Sequence, residues 1–110
     1  MMKIFELFNK NKIRYATRSP KWSSIRKQHL ENFPYCAACG KTSKLEVHHK
    51  IPVHLEPELE LDLSNLITLC DNPCHLVFGH LFNYKSYNKT VAEDCSVYLK
   101  KVLERPLTKE

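Results

Sequence analysis

Four of the five cysteines occur as two close pairs whose spacing suits a metal ion. The pairs are Cys36-x2-Cys39 and Cys70-x3-Cys74, and 30 residues separate Cys39 from Cys70. Two short turns of this kind can each supply two thiolates to a tetrahedral zinc ion, which then holds distant parts of a small chain together. We therefore predict a structural zinc site here, rather than buried free thiols or transient disulfides. The fifth, Cys95, lies on an apolar stripe and is expected to be a small buried hydrophobe.

The histidines indicate a second site. His48 and His49 follow an alternation of apolar and polar residues that predicts a short strand, so their side chains should point to opposite faces. One imidazole can then bind a metal while the other takes a proton from water. His75 follows the last paired cysteine, so the same zinc would hold it near His48. His80 lies about 140° from His75 on a regular helix, and we expect it to be a ligand only if Gly79 breaks or bulges that helix.

Basic residues are concentrated at the start of the chain. The formal net charge is +5, yet residues 1–30 carry eight Lys and Arg side chains against Glu6 alone, a balance of +7. Such a stretch suits the phosphates of DNA, because neutralised phosphates release counterions, although a solvated basic face is the alternative. The predicted DNA contacts are Lys10, Lys12, Arg14, Arg18, Lys21, Arg26, Lys27 and Lys50.

The predicted elements place the cysteine and histidine motifs between two helices. Ser19-Pro20 is typical of a helix start, and Thr90-x-x-Glu93 has the form of a capping box before an apolar stripe. The predicted elements are, in chain order, a helix over about 20–32, strands over 45–48 and 66–69, a short helix over 74–79 and a C-terminal helix over about 90–104.

Length and composition favour one soluble domain. The chain has 110 residues, of which 43% are hydrophobic and 26% charged, and its apolar runs are too short to span a membrane. The N-terminus shows no secretory signal, so we expect a cytoplasmic protein without a membrane partner. Its two glycines exclude phosphate loops and dinucleotide fingerprints. We predict a basic segment over 1–18 and one domain over 19–110, with a motif core over 36–80.

The motifs in this order resemble a known family. Cys36-Ala-Ala-Cys39-Gly40, the run LEVHHKIPV over 45–53, the run NLITLC over 65–70 and Cys74-His75-LVFG-His80 are similar to those of the cysteine-bearing HNH endonucleases, of the ββα-metal or His-Me finger class. The likeness covers residues 18–88 and is strongest to small HNH proteins of bacteriophages. It implies an α+β fold, in which a small ββα-metal core is stapled by a four-cysteine zinc site and flanked by N-terminal and C-terminal helices.

The resemblance also implies roles for particular residues. It makes His48 a ligand of a catalytic divalent ion, His49 the general base, Asn65 the residue that positions the loop of that base, and His75 the helix residue that completes the metal site. Two departures are the x3 spacing of the second cysteine pair and the five-residue step from His75 to His80, where many members have four. The implied activity is metal-dependent hydrolysis of DNA phosphodiesters with Mn²⁺, Mg²⁺, Ni²⁺ or Zn²⁺, and we expect nicking.

Two other function classes fit the same residues. The first is a non-catalytic zinc-stapled module that binds nucleic acid through its basic segment. The second is a phage packaging accessory protein, with terminase or another packaging protein as partner by family analogy alone. Metal content separates the enzyme from the first alternative, because an enzyme needs a second, weaker metal site beside one tight zinc. Intact catalytic positions argue against the second alternative.

Overall fold

The computed structural model describes residues 18–106. It is an α+β structure, as predicted, in which two antiparallel strands lie between helices. The elements, in chain order, are helix α1 (Trp22–Asn32), strand β1 (Leu45–His49), short 3-10 turns over Pro57–Leu59 and Leu63–Asn65, strand β2 (Leu66–Cys70), a π-helical turn (His75–Gly79) and helix α2 (Val91–Glu104). The predicted DNA contacts Lys10, Lys12 and Arg14 lie outside the described residues.

The two strands form the frame to which both motifs are attached. His48 pairs with Ile67 and His49 with Leu66 in the antiparallel register. All five residues of β2 are buried, because the strand is covered on both faces. A two-stranded sheet is marginal by itself in water, so this sheet depends on the helices and on the cysteine cluster for its stability.

The core is built around the paired cysteines. Helix α2 contributes Val91 and Cys95, whose side chains are 2% and 1% exposed, and Cys95 is therefore buried as predicted. The buried cluster consists of Cys36, Ala38, Ile67, Leu69, Cys70, Cys74, Val91 and Cys95. Because three of the four paired cysteines belong to this cluster, a metal bound there would hold the core together directly.

Helix α1 begins two residues later than expected, and helix α2 begins where expected but is capped differently. Helix α1 starts at Trp22, whose N–H donates to the Ser19 carbonyl at 2.9 Å, while the Ser19 N–H donates to Glu60 Oε2 at 2.8 Å. At α2 the predicted capping box is wrong, because the Thr90 hydroxyl donates to Asp94 Oδ2 at 3.1 Å and caps no backbone N–H. The hydrogen bond between Ser19 and Glu60 ties the start of α1 to the loop that follows β1.

Candidate active site

The four paired cysteines converge on one point. Their Sγ atoms all lie within 4.8 Å of one another, and Cys39 Sγ and Cys70 Sγ are 3.9 Å apart. A tetrahedral zinc ion with Zn–S bonds of about 2.3 Å separates its sulfur atoms by about 3.8 Å. The cluster therefore has the ligand set and the spacing that a structural zinc ion needs.

The electrostatics of the cysteine cluster also favour a cation. Burial raises the pKa of Cys39 and of Cys74, so crowded thiolates are unfavourable here without a positive charge. Burial acts in the same direction on Cys36, but the N–H groups of Cys39, Cys70 and Ala38 point at its sulfur and bring the Cys36 pKa below its usual value. Such N–H donors to a metal-bound sulfur are what holds a thiolate ligand in place.

Three histidines form a second cluster, and their nitrogens face one another. His48 Nδ1 lies 3.1 Å from His75 Nε2, which lies 3.2 Å from His80 Nε2. His75 Nδ1–H donates to Glu46 Oε1 at 2.7 Å and His80 Nδ1–H donates to the Ser86 carbonyl at 2.8 Å. Both Nε2 atoms therefore carry lone pairs, which repel at this distance. Ligand bonds of about 2.0–2.1 Å separate adjacent nitrogens by about 3.0–3.4 Å, so a divalent ion fits the cluster.

The π-helical turn explains why His80 joins this cluster. A regular helix would direct His80 away from His75, whereas the wider π turn over His75–Gly79 brings residues five apart to the same side. Gly79 also makes room for the rings. A Cβ added there would lie 3.0 Å from His48 Cε1 and 3.1 Å from His75 Cδ2. The condition set by the sequence, a bulge at Gly79, is met.

His48 is held in the neutral form that a metal ligand must have. Its side chain is buried, and burial, followed by the nearby His75, His80 and His49, lowers its pKa to about 3. Burial also lowers the pKa of His80. Among the described residues, His48 Nε2 has no hydrogen-bond partner, which leaves Nδ1 as the atom of this ring that faces the other histidines.

His49 lies on the opposite face of β1, outside this histidine cluster. Its ring stacks on Trp22 of α1, with centroids 4.7 Å apart, and its Nε2 lies 2.9 Å from the Glu60 carbonyl. A carbonyl only accepts, so Nε2 carries the proton and Nδ1 carries the lone pair. Burial lowers the pKa of His49, which keeps the ring neutral near pH 7. The two adjacent histidines are thus separated as the strand pattern predicts.

Asn65 fastens the loop that follows His49. Its Oδ1 accepts from the Ile51 N–H at 2.9 Å, and its Nδ2 donates to the Ile51 carbonyl at 3.0 Å and the Leu59 carbonyl at 3.4 Å. The Asn65 carbonyl accepts from the Lys50 N–H at 2.7 Å. One buried side chain therefore holds both ends of the loop whose Glu60 carbonyl contacts His49.

The central part of the chain matches a known family. Residues 36–77 match the family model of the HNH endonucleases. This segment is similar to an HNH endonuclease domain. It contains both strands and the four clustered cysteines, and it favours a nuclease-type function with nucleic acid as substrate. No curated protein and no solved structure gives a significant match to the chain.

Both histidine sites border one cleft of about 510 Å³. One wall contains Arg18, whose guanidinium lies 5.6 Å from the centre of the Trp22 ring. The side chains of the cleft include His48, His49, His54, His75, His80, Tyr84, Lys85 and Tyr87. Two cationic side chains, Arg18 and Lys85, line the cleft.

Of the predicted DNA contacts within the described residues, one lines the cleft and four do not. Arg18 lines the cleft, whereas Lys21, Arg26 and Lys27 are exposed on or beside α1. Lys50 lies outside the cleft lining, and its Nζ donates to the Ser64 carbonyl at 3.1 Å. Their contacts with DNA stay predictions.

Sequence reasoning missed several residues of the cleft. Glu46 orients His75, and it could have been found, because residues two apart on a strand share a face and Glu46 precedes His48 by two. Tyr84, Lys85 and Ser86 had no comparable signal, because an irregular segment brings them to the site.

None of the helices within residues 18–106 has the length and apolar character that crossing a membrane requires.

Proposed function

We propose that this chain is a metal-dependent HNH endonuclease that hydrolyses DNA phosphodiester bonds and nicks one strand at a time. The observation that carries the proposal is the division of the histidines: three converge as ligands, and a fourth keeps a free, neutral nitrogen in the same cleft. A purely structural zinc module needs only the cysteine cluster and has no use for this second arrangement.

His48, His75 and His80 would hold the catalytic divalent ion. When bound, the ion supplies Lewis-acid stabilisation of the charge that develops on the scissile phosphate. Glu46 orients His75, and the Ser86 carbonyl orients His80, so the rings are set before any ion arrives. Three imidazoles suit Mn²⁺, Ni²⁺ or Zn²⁺ better than Mg²⁺, which prefers oxygen ligands. The cysteine cluster would hold a separate, structural Zn²⁺.

His49 would act as the general base. Its Nε2–H is committed to the Glu60 carbonyl, so Nδ1 takes the proton of the attacking water. Trp22 fixes the plane of the ring, and Asn65 fixes the loop that presents the Glu60 carbonyl. Both are positioning residues, because they act through His49 and not on the substrate.

Cations would hold the flanking phosphates. Arg18 and Lys85 line the cleft and are the nearest candidates, and we include the exposed Lys21, Arg26, Lys27 and Lys50. Lys10, Lys12 and Arg14 would extend this binding along a basic segment over 1–18 that precedes one nuclease domain over 19–110. A single site of this kind cuts one strand in each event. A role in a bacterial or phage-infected cytoplasm, beside packaging proteins, rests on family analogy alone.

Cleavage of supercoiled plasmid tests the proposal. Purified protein is incubated with Mn²⁺, Ni²⁺, Mg²⁺ or EDTA beside a His49→Ala variant prepared identically, and zinc content is measured in both. We expect metal-dependent nicked circles from the wild type and a loss of about 10²- to 10⁴-fold in the variant. If neither protein cuts while both retain one zinc and shift DNA, the chain is a zinc-stapled binding module. Linear product without a nicked intermediate from a proven monomer would contradict nicking.

A further inference from the structure

The segment that follows His80 exposes apolar side chains beside the cleft. Leu81, Phe82 and Tyr84, which we call the apolar rim, are 52%, 74% and 62% exposed. The Tyr84 ring lies 4.9 Å from the His80 ring and also lines the cleft, so the rim is continuous with the candidate metal site. Large apolar side chains exposed next to a functional site commonly mark a binding surface.

The backbone of the rim is held in an unfavourable conformation. Leu81 and Phe82 have φ angles of 54° and 69°, in the left-handed region that bulky residues rarely adopt. Such strain tends to persist at functional sites, where surrounding contacts enforce it. Both residues with this backbone conformation, Leu81 and Phe82, are large, apolar and exposed.

Hydrogen bonds fix the rim to the residues of the metal site. The Phe82 N–H donates to the Leu76 carbonyl at 2.9 Å, and the Asn83 N–H donates to the His80 carbonyl at 3.0 Å. The Ser86 hydroxyl donates to the same His80 carbonyl at 2.7 Å. The rim is therefore a preorganised projection, and little conformational freedom is lost when it inserts into a partner.

The neighbouring charges select the partner. Arg18 and Lys85 line the same cleft as Tyr84, and a chain of net charge +5 favours a polyanion. A nucleic-acid strand offers phosphates to these cations and base faces to an aromatic ring at the same time. A protein partner or a lipid surface would use the apolar side chains but gives no reason for the shared cleft.

We propose that Phe82, supported by Leu81, inserts between two adjacent bases of DNA bound in the cleft, and that the protein therefore prefers DNA already unstacked at that point. The inference rests on the proposed function, because it assumes that DNA occupies the cleft. Apolar side chains that wedge between base steps must separate stacked bases, and a site that is already unstacked spares that cost. Aromatic stacking on the freed base then adds affinity without sequence preference.

Binding to two matched duplexes tests the inference. The duplexes are identical except that one carries a single unpaired nucleotide, and the full chain carries His49→Ala so that neither is cut. We expect the bulged duplex to bind at least about 10-fold more tightly in an anisotropy titration, since unstacking is already complete. Phe82→Asn should abolish the difference, because asparagine suits the left-handed backbone but provides no wedge.

Two further variants control the experiment. Leu103 on α2 is also 74% exposed, so Leu103→Asn removes an equally exposed apolar side chain elsewhere and should keep the preference. Phe82→Tyr retains the ring and should keep it as well. Zinc content and the circular dichroism spectrum check that each variant is folded.

The outcomes separate this inference from the nuclease proposal. The inference is overturned if the chain that retains Phe82 binds both duplexes with equal affinity. It is also overturned if the preference for the bulged duplex survives Phe82→Asn. Plasmid nicking by the wild type together with no preference leaves the nuclease and removes the wedge. A preference that Phe82→Asn abolishes, in a chain that nicks nothing under any metal, supports the wedge and removes the nuclease.

Discussion

Replacing Gly79 by alanine is the sharpest probe of the histidine cluster. The added Cβ would lie 3.0 Å from His48 Cε1, 3.1 Å from His48 Nδ1 and 3.1 Å from His75 Cδ2. Ordinary carbon contacts are about 3.5–4.0 Å, so each ring must move away from the added Cβ by roughly half an ångström. Metal–ligand distances tolerate only about 0.2 Å, and His48 Nδ1 and His75 Nε2 are now 3.1 Å apart. Gly79→Ala should therefore weaken the histidine site while the cysteine site is untouched.

Calorimetric titration of the zinc-loaded protein with Ni²⁺ measures this effect. We expect Gly79→Ala to bind Ni²⁺ about 10- to 100-fold more weakly, the range found when the support of a metal ligand is disturbed. Gly40→Ala is the matched glycine control. Gly40 has φ 81°, and a Cβ added there would lie 3.7 Å from Leu99 Cδ1, an ordinary contact distance. Gly40→Ala therefore adds about 1 kcal/mol of backbone strain in the cysteine turn and does not touch the histidines. Wild-type Ni²⁺ affinity in Gly79→Ala would refute the three-histidine geometry.

Three other changes test the contacts that support the site. Glu46→Ala removes the acceptor for His75 Nδ1–H, so the affinity for Ni²⁺ should fall about 10- to 100-fold in the same titration. Glu46→Gln should restore part of that affinity. An unchanged affinity in Glu46→Ala would mean that His75 needs no support from Glu46. Asn65→Ala removes the hydrogen bonds to the Ile51 N–H and carbonyl and should lower the free energy of unfolding by about 1–3 kcal/mol in a urea titration. An unchanged midpoint would mean that the loop does not depend on these bonds. Removing zinc with a strong chelator should abolish cooperative thermal unfolding, because Cys36, Cys70 and Cys74 are core residues, and a chelated chain that still melts cooperatively would show that the core does not need the ion.

The local pattern of the sequence was enough for the frame of the site. Paired cysteines at short spacing predict a zinc cluster because each turn can present two thiolates by itself. The strand alternation separates His48 from His49 and, read two residues back, places Glu46 beside His48, because side chains alternate across a strand regardless of what surrounds it. The approximate limits of both helices and both strands follow from the same short-range periodicities, and the family resemblance adds the α+β class.

Contacts between distant residues decided the rest. His80 joins the other two histidines only because the turn closes as a π helix beside the His48 ring, whereas periodicity assumes a regular helix. The free nitrogen of His49 is set by the Glu60 carbonyl, eleven residues away, and by Trp22 on another element. The cleft itself joins Arg18 to Lys85 across most of the described chain. Spacing along a sequence encodes how neighbouring side chains are oriented. The tautomer of a histidine, the position of its lone pair and the lining of a cleft depend instead on which remote groups pack there.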